Sequence, residues 1–272
     1  MTQAPQIFDR SALICHRQRA RRDDLFLQQM AVDEVQDRLS MVNRTFTTPA
    51  VVTGFAAPWQ AAMPAAQLVA DDDVLDLQAQ AHDLVIHAMC LHWSNDPVGQ
   101  IIQCRRALKP DGLFLAVMLG GQTLHELRAT LAEAESRLTG GLSPRVAPMA
   151  EIRELGALLQ RADLALPVAD NVVSVAQYRD LAHLMHDLRE MGEGNALSGR
   201  LRQPTRRGVF QAAETLYRDR FGTPDGRLPA SFELVCLTGW APADSQPKPL
   251  RPGSAQARLA DALQTSETKL PD

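Results

Sequence analysis

The sequence predicts an α/β fold with a central, mostly parallel sheet, and three observations support this. The runs HDLVIHAMCLHW at 82–93 and LFLAVMLGG at 113–121 are apolar almost throughout, which is typical of strands buried on both faces. Between them, apolar side chains recur at helical spacing. The helical stretch ends at the sequence KPDG, 109–112, where Pro and Gly favour a turn. Strand, helix, turn and strand together make a βαβ unit.

Before this unit, residues 1–48 are predicted to be a helical lead-in, because apolar side chains recur at steps of three and four from 11 to 42. The apolar run at 50–52 follows a proline and ends at Gly54, which indicates a strand and then a turn. A second short run, QLV at 67–69, precedes three aspartates and indicates another strand.

The second half alternates between helical and extended patterns. We expect helices at 122–138 and 149–161, a strand at 164–175, a polar helical stretch at 176–221 and a last strand at 232–242. The stretch at 176–221 is interpreted as a helical insertion that forms a lid. The α/β domain then spans 49–242, and residues 243–272, rich in polar residues and proline, form a flexible tail.

The composition excludes several classes of protein. A net charge of −4 provides no general basic field for nucleic acid. The basic stretch RQRARRDD at 17–24 is interpreted as the solvated surface of a helix. The four cysteines contain no CxxC pair, so no zinc site or disulfide framework is expected. No apolar run approaches the ~20 residues that a membrane span needs. We therefore expect a cytoplasmic protein, and peripheral contact with a membrane is compatible with this expectation.

Several motifs resemble those of one known family. The segment 83–121 is similar to the second half of a class I S-adenosylmethionine-dependent methyltransferase, which has a Rossmann-like fold. More narrowly, a set of short motifs resembles the branch that contains the methyltransferase-like assembly factor of respiratory complex I and its alphaproteobacterial relatives. These motifs are IFDR (7–10), LHWSND (91–96), GLSPRVAP (141–148), LMHDLREMGEGNAL (184–197) and LTGWAP (237–242).

The resemblance implies S-adenosylmethionine as cofactor and a protein partner, with a respiratory complex I subunit as the candidate. Both methyl transfer and arginine hydroxylation have been attributed to this branch. In the family, a glycine-rich turn after the first strand admits the cofactor, an acid after the second strand binds the ribose, and residues after the fourth strand face the methyl group.

The glycine-rich turn is depleted in this sequence. Only Gly54 matches the family's three glycines, and Ala56 and Pro58 stand in place of the other two. The Cβ of Ala56 obstructs the backbone, and Pro58 has a fixed φ, so the loop is poorly suited to binding the cofactor. The stretch from Gly54 to Asp83 is about as long as one βαβ unit, ~30 residues, although the family places two helices and two strands there. We therefore expect a sheet shortened in its cofactor-binding half.

Two alignments of the acidic run fit this deletion. In the first, 67–69 is the second strand of the family and Asp71 binds the ribose. In the second, which local similarity favours, it is the third strand, Asp71 lies near the adenine, and the ribose acid is absent. If the site is retained, Gly54, Asp71 and Asp72 are its predicted cofactor ligands.

Substrate or partner residues are predicted at two places. His92, the candidate catalytic base, and Trp93 follow a buried strand, where open α/β sheets bind ligands. The further candidates are Asn95 and Asp96, which could instead cap a helix, and His186, Glu193 and Asn195 in the 184–197 motif. His82, His87 and His92 do not share one strand face, so no metal site is expected.

The sequence is compatible with two functions, and it does not decide whether the chain is an enzyme. In the favoured one, a methyltransferase-like assembly or accessory protein binds a partner and binds S-adenosylmethionine weakly or not at all. In the alternative, an active methyltransferase acts on a protein or a small molecule. Arginine hydroxylation would need an oxygen-activating centre, and no two-His, one-carboxylate pattern has convincing spacing.

Overall fold

A computed structural model describes residues 6–21, 25–247 and 264–265. One compact unit spans Met1–Pro242, and a second comprises Ala243–Asp272. The first unit is an α/β domain around a six-stranded sheet. Its strands are β1 (Pro49–Thr53), β2 (Gln67–Val69), β3 (His82–Ala88), β4 (Leu108–Leu119), β5 (Ala165–Tyr178) and β6 (Leu228–Trp240).

The strand order is β2-β1-β3-β4-β6-β5. The first four strands in this order are parallel, and β6 runs antiparallel to both neighbours. Among the described residues, eight α-helices connect or flank the strands. They are α1 (Arg10–Arg19), α2 (Phe26–Met41), α3 (Ala56–Ala62), α4 (Pro97–Ala107), α5 (His125–Thr139), α6 (Ile152–Arg161), α7 (Leu181–Glu190) and α8 (Arg207–Phe221).

The sheet separates two hydrophobic layers. Alternate residues of the central strands point to opposite faces, so that Ile86 and Leu115 join one layer while Val85 and Phe114 join the other. Helices α2, α5, α7 and α8 cover the first layer, and α4 and α6 cover the second. Because both faces are covered, the strands read as continuous apolar runs, as the sequence indicated.

The half of the sheet that contains β1 and β2 is short. The connection from β1 to β2, residues 54–66, contains a single seven-residue helix, α3, and residues 70–81 contain neither helix nor strand. Strand β2 pairs in parallel with β1, which is the position of the second strand in the common doubly wound order. This position favours the first alignment of 67–69, with the second strand, over the alignment with the third, and Asp71 follows the strand adjacent to β1.

Three sequence-based expectations change in detail. The N-terminal lead-in consists of two separate helices rather than one continuous helical stretch. The second of them, α2, packs into the main core through Ala31 and Val35. The stretch 176–221 is not continuously helical, since β5 continues to Tyr178 and residues 191–206 contain no helix. Its two helices pack against the same core as α5 and connect β5 to β6, because their apolar faces need burial.

The expected turn at 109–112 lies within β4. Positive φ occurs at Asp111 (61°) and not at Gly112, and the Asp111 amide donates to the carbonyl of Ala241. The register between β3 and β4 shifts at this point, so the segment is an irregularity within the strand. Within the described residues, no helix has the length and apolar character needed to cross a membrane; the cytoplasmic location stays a prediction.

The GLSPRVAP segment (141–148) is fixed to α5 by one buried carboxylate. Glu135 accepts hydrogen bonds from the Ser143 amide at 2.9 Å and the Ser143 hydroxyl at 2.6 Å, and two more from the Arg145 guanidinium at 2.9 and 2.6 Å. The hydrogen bonds from Arg145 lower the pKa of Glu135 to about 2, with Ser143 contributing and burial opposing. The carboxylate therefore stays ionised in the folded protein.

We predict that Glu135→Gln destabilises the protein by about 2 kcal/mol at pH 7, since hydrogen bonds to a charged group are lost. Because the folded pKa is depressed, this stabilisation is complete above the ordinary value of 4.5 and is lost as the pH falls towards 2. Urea unfolding at pH 7 and pH 4 measures the difference, which should shrink at the lower pH. Glu133→Gln, on the more exposed face of α5, is the control and should cost at most about 1 kcal/mol.

Candidate cofactor and partner site

The candidate site lies at the carboxyl ends of β1, β2 and β3. Gly54 follows β1, Asp71 follows β2, and a 3₁₀ turn, Leu91–Trp93, comes shortly after β3. The carboxyl ends of parallel strands meet at one edge of a sheet, so these three positions converge. Helix α1 and the segment 191–200 lie over this edge, where they contact Asp71 and Trp93.

Two arginines of α1 bind the carboxylate of Asp71. The Arg10 guanidinium donates to Oδ2 at 2.9 Å and to Oδ1 at 2.8 Å, and Nη1 of Arg17 lies 2.8 Å from both oxygens. The side chains of Asp71 and Arg17 are only 6% and 8% exposed. Burial alone would raise the pKa of Asp71, but the hydrogen bonds from Arg10 and the charge of Arg17 outweigh it and hold the pKa below its ordinary value. Asp71 is therefore an ionised, fully bonded carboxylate.

The Arg17 guanidinium also covers the remaining glycine of the loop. A Cβ on Gly54 would lie 2.3 Å from Cζ and from Nη1 of Arg17, so the absence of a side chain makes room for this guanidinium. The ring of Phe55 lies on another side, 5.9 Å from Cζ. Nη2 of Arg17 is buried without a hydrogen-bond partner among the described residues.

The interpretation of 17–24 as a solvated helix surface was wrong for Arg17, which faces a buried carboxylate; residues 22–24 lie outside the described residues. Asp72, the other predicted cofactor ligand, is 65% exposed at its side chain and contacts Arg10 from the outer side at 3.1 Å. The space between Gly54 and Asp71 is thus filled by a side chain of the protein itself.

A second cluster joins residues that are far apart in the sequence. Oε2 of Glu193 accepts a hydrogen bond from Nε1 of Trp93 at 2.9 Å and lies 3.5 Å from Nε2 of His92. The amide of Leu119 points to Nδ1 of His92 at 3.4 Å, which favours the tautomer with the proton on Nε2. The side chains of His92 and Glu193 are 1% and 7% exposed. A buried carboxylate is thus held by an indole and an imidazole.

Trp93 and Glu193 of this cluster line a cavity of about 380 Å³, whereas His92 is not part of the cavity lining. The remaining walls are mainly apolar and include Leu27, Leu131, Met149, Phe210 and Phe232. Asn195 also lines the cavity, while its side chain donates to the carbonyl of Pro144 and accepts from the Leu197 amide. Arg19, Arg145 and Arg189 line the cavity as well. A largely apolar cavity with a small number of polar groups is the usual form of a ligand site.

The other predicted partner residues have structural contacts. Asn95 bonds to both the amide and the carbonyl of Phe8, and Asp96 caps α4 by accepting from the Gly99 amide. His186 is 59% exposed on α7 and lies 3.2 Å from Glu190, away from the cavity wall. Within the described ranges, no group of three His, Cys, Asp or Glu side chains has the arrangement of a metal site.

Comparison with known proteins places the chain in a family. Residues 24–116 match the methyltransferase domain family. The arginine-hydroxylase NDUFAF5 of Danio rerio, named as mitochondrial, is 35% identical over 221 residues, which cover 81% of this chain and 68% of that protein. The chain belongs to the NDUFAF5 family, within the class I methyltransferase superfamily. In relatives of the same name from Dictyostelium discoideum and Homo sapiens, the matched segment covers 45% and 57% of the relative.

Methyltransferases and a solved structure show further similarity. The malonyl-[acyl-carrier protein] O-methyltransferase of Xylella fastidiosa is 33% identical over 179 residues, which cover 66% of this chain and 58% of that protein. The crystal structure of the YcgJ protein from Bacillus subtilis superposes with a TM-score of 0.50 at 13% identity, covering 79% of this chain and 99% of that one. The last similarity concerns the fold alone.

Sequence reasoning missed the two arginines that fill the site of this family member. Arg10 belongs to the IFDR motif, but no role was assigned to it. The seven-residue spacing of Arg10 and Arg17 places both on one face of α1, two turns apart, and this was the available signal. Asp71 was assigned to the cofactor, and only the tertiary structure shows that α1 reaches it.

We predict that Asp71→Ala destabilises the protein by about 3–5 kcal/mol, because it leaves the buried Arg17 guanidinium without a counter-charge. Asp72→Ala, which removes a neighbouring but exposed carboxylate, should cost at most about 1 kcal/mol. Urea unfolding of the two variants beside the wild type measures both values. Equal losses would contradict the role given to Asp71.

Proposed function

We propose that this member of the NDUFAF5 family is a methyltransferase-like accessory protein with a degenerate S-adenosylmethionine site, and that it acts in the assembly of respiratory complex I. The observation that carries the proposal is the state of Asp71 and Gly54. The carboxylate that would bind the ribose is bonded to two arginines, and the guanidinium of Arg17 fills the space over the glycine. With α1 in place, these residues do not fit the cofactor.

The free energy needed to separate Asp71 from its arginines supports weak binding of S-adenosylmethionine. A cofactor that reaches Asp71 must first displace the buried Arg17 guanidinium, and separating a buried pair costs about 3–5 kcal/mol. Each 1.4 kcal/mol is tenfold in affinity, so the penalty is roughly a hundred- to a few-thousand-fold. Ala56 and Pro58 at the start of α3 add to the difficulty, since neither provides the backbone freedom of glycine.

The cavity beside Trp93 is the proposed site of partner binding. Buried aromatic side chains at the centre of a contact provide much of the affinity of protein interfaces. The Glu193 carboxylate provides acceptor capacity on the same wall, next to its bond from Trp93. A partner segment with an apolar side chain and a donor group would suit this combination. The resemblance to the assembly factor supports a complex I subunit as that partner.

An active S-adenosylmethionine-dependent methyltransferase is the second candidate. The match of residues 24–116 to the methyltransferase domain and the similarity to the Xylella fastidiosa O-methyltransferase support it. So does the position of Asp71 after the strand next to β1, where doubly wound folds place the acid that binds a ribose. In that case the predicted base, His92, would have to act near the reacting group from a side chain that is only 1% exposed.

Calorimetric titration of the full chain with S-adenosylmethionine and S-adenosylhomocysteine separates these candidates. The proposal predicts no detectable heat with about 1 mM ligand, because α1 occupies the site. The same titration of the Asp71→Ala variant should also give no detectable heat. Binding near or below ~10 μM that is lost in this variant would make the chain a cofactor-binding methyltransferase and would overturn the proposal.

Partner binding is tested by copurification with individually expressed subunits of respiratory complex I. Trp93→Ala and Glu193→Gln should each weaken the complex at least tenfold, as expected for a buried anchor and its acceptor. Arg106→Ala, on α4 at the other face of the sheet, is the control and should bind like the wild type. A complex that tolerates both cavity variants would contradict the assignment of the cavity to the partner.

A further inference from the structure

We propose that two copies of this chain pair along the outer edge of β5, antiparallel and around a two-fold axis. The strand is the last in the sheet order, so only β6 pairs with it among the described strands. Half of the amide and carbonyl groups of an edge strand point away from the sheet and can pair with another strand. This contact goes beyond the proposed function, because β5 and β2, the strand before Asp71, form opposite edges of the sheet.

The first part of β5 is protected against such pairing, as is β2. Strand β2 has only three residues, and short edge strands offer little to pair with. Strand β5 has fourteen residues, but near its start Pro167 lacks an amide proton and Leu166 has a φ of +50°. The register with β6 also shifts there, and Asp170 places a charge beside Arg38. These features disfavour a second strand along 165–170.

The second part of β5, residues 171–177, has none of these features. Its sequence, NVVSVAQ, contains no charged residue and no proline. Val172, Val173 and Val175 are 42%, 51% and 56% exposed. Helix α6 packs against β5 at Ala169, whereas the valines beyond it stay exposed. Exposed apolar side chains that adjoin one another on an unprotected sheet edge are typical of an interaction site.

The segment 171–177 is self-complementary when Ser174 lies on the two-fold axis. Val173 then lies opposite Val175 of the partner subunit, so valine meets valine twice on one face of the joined sheet. On the same face, Asn171 lies opposite Gln177 of the partner subunit, and both side chains can donate and accept hydrogen bonds. No charges oppose one another within this segment. The match of apolar with apolar and polar with polar side chains favours a second copy as the occupant.

The mass of the full chain in solution, measured by light scattering from about 1 to 100 μM, tests the contact. We expect a dimer in this range. Val173→Lys should raise its dissociation constant at least tenfold, because each copy then places an ammonium group opposite Val175. Val168→Lys is the matched control, since Val168 is 53% exposed in the protected part of the same strand, and it should leave the dimer unchanged.

A charge-pair variant tests the register. Val175→Glu alone should weaken the dimer as Val173→Lys does. In the Val173→Lys/Val175→Glu double variant, the introduced ammonium group of each copy lies opposite the introduced carboxylate of the other, so the dimer should be tighter than with either single change. Circular dichroism and the unfolding midpoint establish that the variants are folded. A double variant that dimerises no better than the single ones would overturn the register.

Deuterium exchange locates the protected amides. In the wild-type dimer, outward-facing amides of 171–177 should exchange more slowly than in Val173→Lys. A wild type that is monomeric at the highest concentration would overturn the inference, and protection of these amides in a monomer would assign the edge to another segment instead. A dimer that tolerates Val173→Lys would place the contact elsewhere and would also overturn it. The cofactor titration concerns the opposite edge of the sheet, so either proposal can fail while the other stands.

Discussion

The carboxylate of Asp71 connects the sheet to the helix that precedes it. It is almost fully buried at the end of a three-residue edge strand, and an ionised group in such a position needs compensating charge and hydrogen bonds. Arg10 and Arg17 provide both, and their common position on one face of α1 fixes where this helix lies. The position of α1 over this edge of the sheet follows from the need to compensate the buried charge of Asp71.

Three of the short motifs that resemble the complex I assembly factor, IFDR, LHWSND and the 184–197 motif, meet in space near this interaction. Phe8 of IFDR packs edge-to-face on Trp93 of LHWSND, with ring centroids 5.2 Å apart, and Asn95 of the same motif bonds to its backbone. Glu193, from the 184–197 motif, accepts from Trp93. These three motifs lie up to about 190 residues apart in the sequence, and two of them contribute Trp93 and Glu193 to the cavity lining. Their residue types are explained by contacts with one another.

The shortened half of the sheet and the position of α1 belong together. A complete doubly wound half would continue beyond β2, whereas here β2 is the edge strand among the described residues. The acid after β2 consequently lies at the edge of the sheet, where two arginines of α1 bond it and bury it. Helices α2 and α3 contribute Val35 and Trp59 to one of the two hydrophobic layers. The fold thus keeps a buried sheet despite the deletion.

The sequence by itself determined the fold class and the βαβ unit formed by β3, α4 and β4. The apolar runs at 82–93 and 113–121 were sufficient, because strands buried on both faces leave a local pattern that needs no partner to be recognised. The sequence indicated His92, Trp93 and Glu193 separately as candidate site residues. It did not predict that they contact one another. The pairing of Arg10 and Arg17 with Asp71 was decided by tertiary structure alone. An arginine on a helix surface has the same local pattern whether it faces water or a buried carboxylate, because the difference lies in what the rest of the chain brings against that helix.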